Sequence, residues 1–342
     1  MPVRVKLLSA AFAAGAILLG SGGAGAACEP HKIDVGGGKF ITSDCSPLKI
    51  AFIGAGSNNT YMQANIKSAK ETAAKYGGTV DFFDPNWTTT VQFNQAQNVI
   101  SGGKYNAIIA GVLDGVQMCK IMSEDAPARN ILVAVYNQPL CGRALKEGEE
   151  QWAPGTLNIV SGAQSRTAFF EYFEFMEKQH PGPQKVLVLT GPDLNANSLN
   201  TDAAVNDIMA KYPDFKVLSV TRTNYTVVDG YQKTAPLLQA NPDATILFGN
   251  YSEITRGSVQ AVKQAGLGGK IAVYDAGGST WAFQAVKDGD VVATKTYIPV
   301  TETSLTVDSI AQAWVGTQGP RFIPLPSVYV TKENLDQNHA QY

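Results

Sequence analysis

From Leu48 onward, short runs rich in Val, Ile and Phe alternate with longer segments whose apolar residues recur at helical spacing. The runs are LKIAFIGA (48–55), GTVDFFD (78–84), AIIAGV (107–112), ILVAVY (131–136), KVLVLTG (185–191), KVLSVTR (216–222), ATILFGN (244–250) and KIAVYDA (270–276). They are brief and nearly unbroken, as strands buried on both faces should be. Between the first two lies MQANIKSAKETAAKYG (62–77), where Ile66, Ala69, Ala73 and Ala74 share a helix face and Gly77 supplies a stop. Strand alternating with helix predicts an α/β fold with parallel sheets covered on both faces. The rhythm restarts at Lys185 after a helical stretch and a Pro-Gly-Pro turn, so the chain divides into two doubly wound lobes. A length of 342 residues agrees with two lobes rather than one core.

Ligands of doubly wound sheets bind beyond the carboxyl ends of the strands. Here those ends carry Asn58, Asn59 and Tyr61; Asp114; Asn137 and Gln138; Asp193, Asn195 and Asn197; Asn224 and Tyr225; Asn250; and Asp275. Any one of these could simply cap the next helix. Seven ends with one bias predict a cleft of amide, hydroxyl and aromatic groups suited to a small neutral polyhydroxylated ligand.

Composition narrows the partners. The chain is 44% hydrophobic and 16% charged with a net charge of −2, and its cations are scattered, which argues against nucleic acid or an anionic membrane as partner. The N-terminus has Arg4 and Lys6, an apolar stretch from Leu7 to Leu19 and then Ala24-Gly25-Ala26, the layout of a cleaved signal peptide over residues 1–27. Cys28 also permits lipid attachment, although Gly25 stands where a bulky aliphatic residue is usual. In an oxidising compartment four cysteines suggest two disulfides out of three possible pairings, Cys28–Cys45 and Cys119–Cys141 closing the shortest loops. The scattered His31, His180 and His339, with no Cys-x-x-Cys, give no zinc site.

An enzyme reading finds no support in the motifs. FIGAGSNN resembles a dinucleotide fingerprint, but Asn59 stands where its third glycine belongs. No phosphate loop, nucleophile elbow or metal-ligand cluster is present, so no cofactor is expected.

Taken together, the leader, the doubled rhythm and the strand ends resemble the periplasmic sugar-binding proteins of the ribose-binding type, the soluble receptors of ABC importers, from about Leu48 to Val330. SNNTYM resembles that family's Asn-Pro-aromatic segment, with Asn59 and Tyr61 at sugar-contacting positions. YNQP, holding Asn137 and Gln138, stands where the family often has Asp-Arg. LFGNYSEITRGSVQAVKQAG makes Asn250 a ligand candidate. KIAVYDAGGSTWAFQAVKDGDVVATKTYIP resembles the stretch in which a strand-end Asp, here Asp275, binds sugar hydroxyls and a hinge residue, here Tyr297, closes the site.

The resemblance implies a type I periplasmic binding protein fold with a three-segment hinge near Ser161, Tyr297 and Pro326. An N-terminal segment (28–46) would precede one lobe of 47–161 plus 298–325 and another of 162–297 plus 326–342. It further implies a periplasmic monomer delivering a sugar or polyol to an ABC permease, or, alternatively, signalling to the periplasmic sensor domain of a kinase or chemoreceptor. Tyr225 would pack on the ligand. Gln138 and the run Asn197-Ser198-Leu199 replace the arginines common in such sites, which disfavours an anionic ligand. Trp87 reads either as a stacking wall or as a loop anchor, and Trp281 as packing of a first helical turn.

Overall fold

A computed structural model describes residues 28–342; the signal-peptide assignment, residues 1–27, lies outside the described residues. The first element is an antiparallel hairpin, β1 (His31–Gly36) and β2 (Lys39–Ser43). Its strands alternate, with Ile33, Val35 and Ile41 buried and their neighbours more exposed. That period of two was visible in HKIDVGGGKFITS, a segment read only as a lead-in to the first lobe.

The first lobe then runs β3 (Lys49–Ile53), α1 (Thr60–Lys75), β4 (Thr79–Phe83), α2 (Thr89–Gly102), β5 (Ala107–Ala110), a short α3 (Ala126–Ala128), β6 (Leu132–Tyr136) and β7 (Ile159–Ser161). The second comprises α4 (Arg166–Gln179), β8 (Gln184–Thr190), α5 (Ala196–Lys211), β9 (Phe215–Arg222), α6 (Val227–Ala240), β10 (Ile246–Gly249), α7 (Ser252–Gln264), β11 (Ala272–Gly277), α8 (Thr280–Asp288) and β12 (Ala293–Thr296). The chain closes with α9 (Pro299–Trp314), β13 (Phe322–Pro324) and β14 (Tyr329–Val330).

Two six-stranded sheets result, ordered β13-β7-β6-β5-β3-β4 and β14-β12-β11-β10-β8-β9, parallel except for the β12–β14 pair. The α/β architecture of two parallel-sheet lobes read from the sequence is therefore borne out. Strands β5, β6 and β10 are buried throughout, whereas the edge strand β9 alternates with solvent. In β3 the side chains split between faces: Ile50 and Phe52 enter one core layer, Ala51 and Ile53 the other. Helix α4 buries Phe169, Tyr172, Phe173 and Met176, the spacing of one apolar stripe, onto the second sheet.

The chain passes between the sheets three times: after β7, after β12 and after β13. Helix α9 packs against α1 and inserts Val307 and Ile310 into the first-lobe core. Lys295 of β12 is fully buried and donates to the Ala163 carbonyl, which joins the first two crossings. Burial lowers its ammonium pKa to about 7.

Cys28 pairs with Cys45 and Cys119 with Cys141, the two shortest loops. The second bond holds the segment that carries Asn137 and Gln138, its cysteines standing 22 positions apart in the chain. Replacing both Cys119 and Cys141 by Ser should cost about 3 kcal/mol, read as a lower chemical-denaturation midpoint with unchanged far-UV dichroism.

Candidate functional site

Aromatic rings lie directly over the backbone where strands of both sheets end, and glycines make this possible. A Cβ on Gly56 would come within 2.5 Å of the Trp87 indole nitrogen, one on Gly111 within 2.2 Å of the Tyr136 ring, and one on Gly191 within 1.9 Å of the Tyr225 ring. Gly54 likewise accommodates Phe82 at 2.4 Å. Of the glycines of FIGAGSNN, Gly56 thus makes room for an aromatic wall and Gly54 for a ring packed on the first-lobe core.

Those walls enclose a cleft between the lobes with an empty volume of ≈ 600 Å³, open space at its mouth included. The first lobe contributes Asn59, Tyr61, Trp87, Tyr136, Asn137 and Gln138; the second contributes Asn195, Asn197, Tyr225, Tyr251 and Tyr297. None of the described residues lining it is charged. The structure therefore brings together Asn59, Tyr61, Asn137, Gln138, Asn197, Tyr225 and Tyr297 of the residues singled out in the sequence. Asn250 and Asp275 lie beneath the second-lobe wall, both fully buried. Trp87 faces the cleft, its indole N–H donating to Asn58 Oδ1 at 2.6 Å. Trp281 packs against the second-lobe core instead.

The amides divide into two groups. Asn59 caps α1, its Oδ1 accepting from the Met62 amide at 2.8 Å, and Asn195 caps α5 through the Asn197 amide at 3.0 Å. These two spend their carbonyls on helix ends, which leaves their amino groups for other partners. Asn137 and Gln138 cap no helix of their own segment. Asn137, held at φ 63°, donates to the Tyr61 hydroxyl at 2.9 Å and to Glu302 Oε1 at 3.3 Å, and accepts from Gln138 Nε2 at 2.6 Å. Gln138 Oε1 then accepts from the Ala196 amide at 3.0 Å, a bond from the first lobe to the second. The Tyr61 hydroxyl donates to Glu302, so Tyr61 offers the cleft mainly its ring.

Beneath the second wall, Asn250 Nδ2 reaches Thr201 Oγ1 at 3.2 Å and Asn197 Oδ1 at 3.4 Å, and the Tyr297 hydroxyl donates to the Asn250 carbonyl at 3.0 Å. Asp275 Oδ2 accepts from Thr294 at 2.6 Å, Ser252 at 2.9 Å and the Gly278 amide at 3.4 Å. Strand β11 continues two residues past Asp275 to Gly277, which carries the carboxylate under the wall rather than to its edge. Asn250 Oδ1, Asp275 Oδ1 and the Tyr251 hydroxyl are buried with no hydrogen-bond partner among the described residues. Such groups are costly unless a further polar molecule reaches them. Burial raises the Tyr225 phenol to about 12 and also raises the Asp275 carboxyl, so the ring hydroxyls stay neutral.

Residues 50–318 match the family model described as periplasmic binding protein domain. The chain belongs to this family. It is similar to a xylitol-binding protein of Mycolicibacterium smegmatis, 23% identical over 73% of this chain and 68% of that protein. Among solved structures it is similar to the Caulobacter myo-inositol-binding protein bound to myo-inositol, with a TM-score of 0.75, 18% identity and coverage of 86% and 95%. It is also similar to a Burkholderia graminis solute-binding protein in complex with D-arabinose, with a TM-score of 0.76, 22% identity and coverage of 86% and 99%.

Several features of this periplasmic binding protein's site escaped the strand-end reading. Tyr136 and Tyr251 adjoin residues already singled out but were not among them. Glu302, in the first turn of α9, follows β12, a strand not among the runs read from the sequence; an acid beside Pro299 signals only a helix start. It is almost wholly buried, and desolvation pushes its carboxyl up to about 7, against the lowering effect of Tyr61 and Asn137. The folded protein therefore holds this proton more tightly than the unfolded chain, whose glutamate titrates near 4.5. The resulting stability is complete below pH ~4.5 and is lost as pH rises through ~7, a change on the order of 3 kcal/mol. Melting curves of Glu302→Gln between pH 4.5 and 8 should show this decline flattened; an unaltered slope would exclude Glu302 as its source.

Proposed function

We propose that this periplasmic binding protein captures a small neutral sugar or polyol between its lobes in the periplasm and delivers it to an ABC importer. The observation that carries this reading is the cleft's chemistry: amide and phenol groups without a charge, set over aromatic faces, with buried unpaired polar atoms beneath. A neutral ligand rich in hydroxyls would give those atoms both donors and acceptors, while its C–H faces pack on rings. An anion would find no cation there. The xylitol, myo-inositol and D-arabinose named for similar proteins are all neutral and polyhydroxylated, which supports the same class.

In this reading the amino groups of Asn59 and Asn197 donate to ligand hydroxyls, and Asn250 with Tyr251 serves the second-lobe side. Tyr61, Trp87 and Tyr225 form the apolar walls. Asn137, Gln138 and Tyr297 hold the walls in register, and Asp275 braces the floor through Ser252 and Thr294. Contacts to both lobes at once exist only when the cleft is shut, so ligand shifts a hinge equilibrium toward closure. The protein acts as a monomer and makes or breaks no bond in its ligand.

A thermal-shift screen of four- to six-carbon polyols, pentoses, hexoses, inositols, choline and small carboxylates should find stabilisation among the neutral polyhydroxylated compounds. Tyr225→Ala should then weaken the best of them about tenfold, the worth of one lost apolar face of roughly 50 Å². Stabilisation by choline alone would replace this reading with an aromatic cage for a cation. Loss of uptake of the same compound on deletion of the gene tests delivery.

A further inference from the structure

The tail after β14 returns to the junction of the two lobes, beside the cleft residue Tyr61. The backbone oxygen of Tyr342 accepts from both the amide and the hydroxyl of Thr280, each at 2.7 Å, at the start of α8 in the second lobe. Its neighbour Gln341 accepts from the Thr301 amide at 3.1 Å and donates to the Thr301 hydroxyl at 2.8 Å, on α9 of the first lobe. The tail is thus fastened to both lobes.

The Tyr342 ring lies edge-on to Tyr61, with centroids 5.6 Å apart. Its hydroxyl reaches the opposite lobe beside Ser252, 3.0 Å from where a Cβ on Gly277 would stand. Gly277 therefore provides the space that this hydroxyl enters. Like Asp275 Oδ1, the Tyr342 hydroxyl is buried and has no hydrogen-bond partner among the described residues. Tyr61 belongs to the first-lobe wall and Ser252 and Asp275 to the second-lobe floor, so the Tyr342 ring fills the gap between them.

We propose that Tyr342 is a size-determining residue: its ring occupies the Asp275 end of the interlobe cleft and confines the ligand to the part bounded by Trp87, Tyr225 and Tyr251. This rests on the reading of the ligand as a neutral sugar or polyol. Without the ring, the cleft extends to the free oxygen of Asp275, a strong acceptor for additional hydroxyls.

Calorimetric titration of the parent protein, Tyr342→Ala and Tyr342→Phe with erythritol, xylitol, sorbitol, glucose and maltose tests this. Tyr342→Ala should shift preference toward the larger probes by at least about tenfold relative to the smaller, while Tyr342→Phe keeps the parent ranking. Asp275→Asn should cost about tenfold more affinity for the larger probes in the Tyr342→Ala background than with Tyr342 present. An identical ranking in Tyr342→Ala and parent overturns the proposal, as does uniform tightening for every probe, which would make the ring a plug that all ligands displace. Binding of no neutral probe to any of the proteins overturns the ligand class and the size role together, whereas an unchanged ranking with binding retained overturns the size role alone. A ligand-free measurement checks the seat itself: Tyr342→Ala should melt about 4 °C lower and Tyr342→Phe close to the parent, and equal melting of all three would show that the ring is not packed in the cleft.

Discussion

Glu302 is the group on which the arrangement of the cleft turns. A carboxyl removed from water needs partners, and here they are the Tyr61 hydroxyl and the Asn137 amide. Tyr61 stands on α1, Asn137 follows β6, and Glu302 begins α9 just after the second crossing between the lobes. One buried carboxyl therefore ties two walls of the first lobe to the helix that follows the second crossing. Through Asn137 the chain of bonds continues to Gln138 and to the Ala196 amide of the second lobe. Helix α5 begins at that amide, so the opposite lobe satisfies its first orphan N–H while its own cap Asn195 satisfies the next.

This network decides what each residue can offer a ligand. Tyr61 has a hydroxyl already engaged as donor and acceptor, and Asn137 has both amide atoms in use, so their contribution is shape and rigidity. The groups left with capacity lie elsewhere: the amino groups of helix-capping asparagines and the unpaired atoms of Asn250, Tyr251 and Asp275. The rings between them sit against glycine backbone, which fixes their tilt without a second layer of side chains. The result is a preorganised and electrically quiet surface.

Buried charges occur near the cleft but not in it. Glu302 and Asp275 lie behind opposing walls and Lys295 within the hinge, each desolvated and each bonded to protein groups. Desolvation shifts the carboxyls upward and the ammonium downward, in every case toward the neutral form. Keeping these groups out of the lining preserves the neutrality of the cleft while their hydrogen bonds set the position of the wall residues.

The alternation of strand-like runs and helical segments was enough to give two parallel-sheet lobes, because strands buried on both faces must be short and apolar and the helices between them must be amphipathic. The amide-rich strand ends were legible for the same reason: in a parallel sheet every carboxyl end points to one side, so Asn59, Asn137, Asn197 and Tyr225 meet without any one of them announcing it. Three things depended on tertiary structure. The hairpin of Ile33, Val35 and Ile41 carries a clear period of two, but two short strands reveal nothing of what they cover. Asp275 lies two residues before the end of β11, and only the packed sheet shows that its carboxylate points beneath the wall. Glu302 and Tyr342 come from a helix start and a tail with no sequence signal of a site. Local periodicity is written along the chain because each element must satisfy its own backbone and bury its own face. Which distant side chain closes a cavity depends on where two lobes and a returning tail come to rest, and that is decided only in three dimensions.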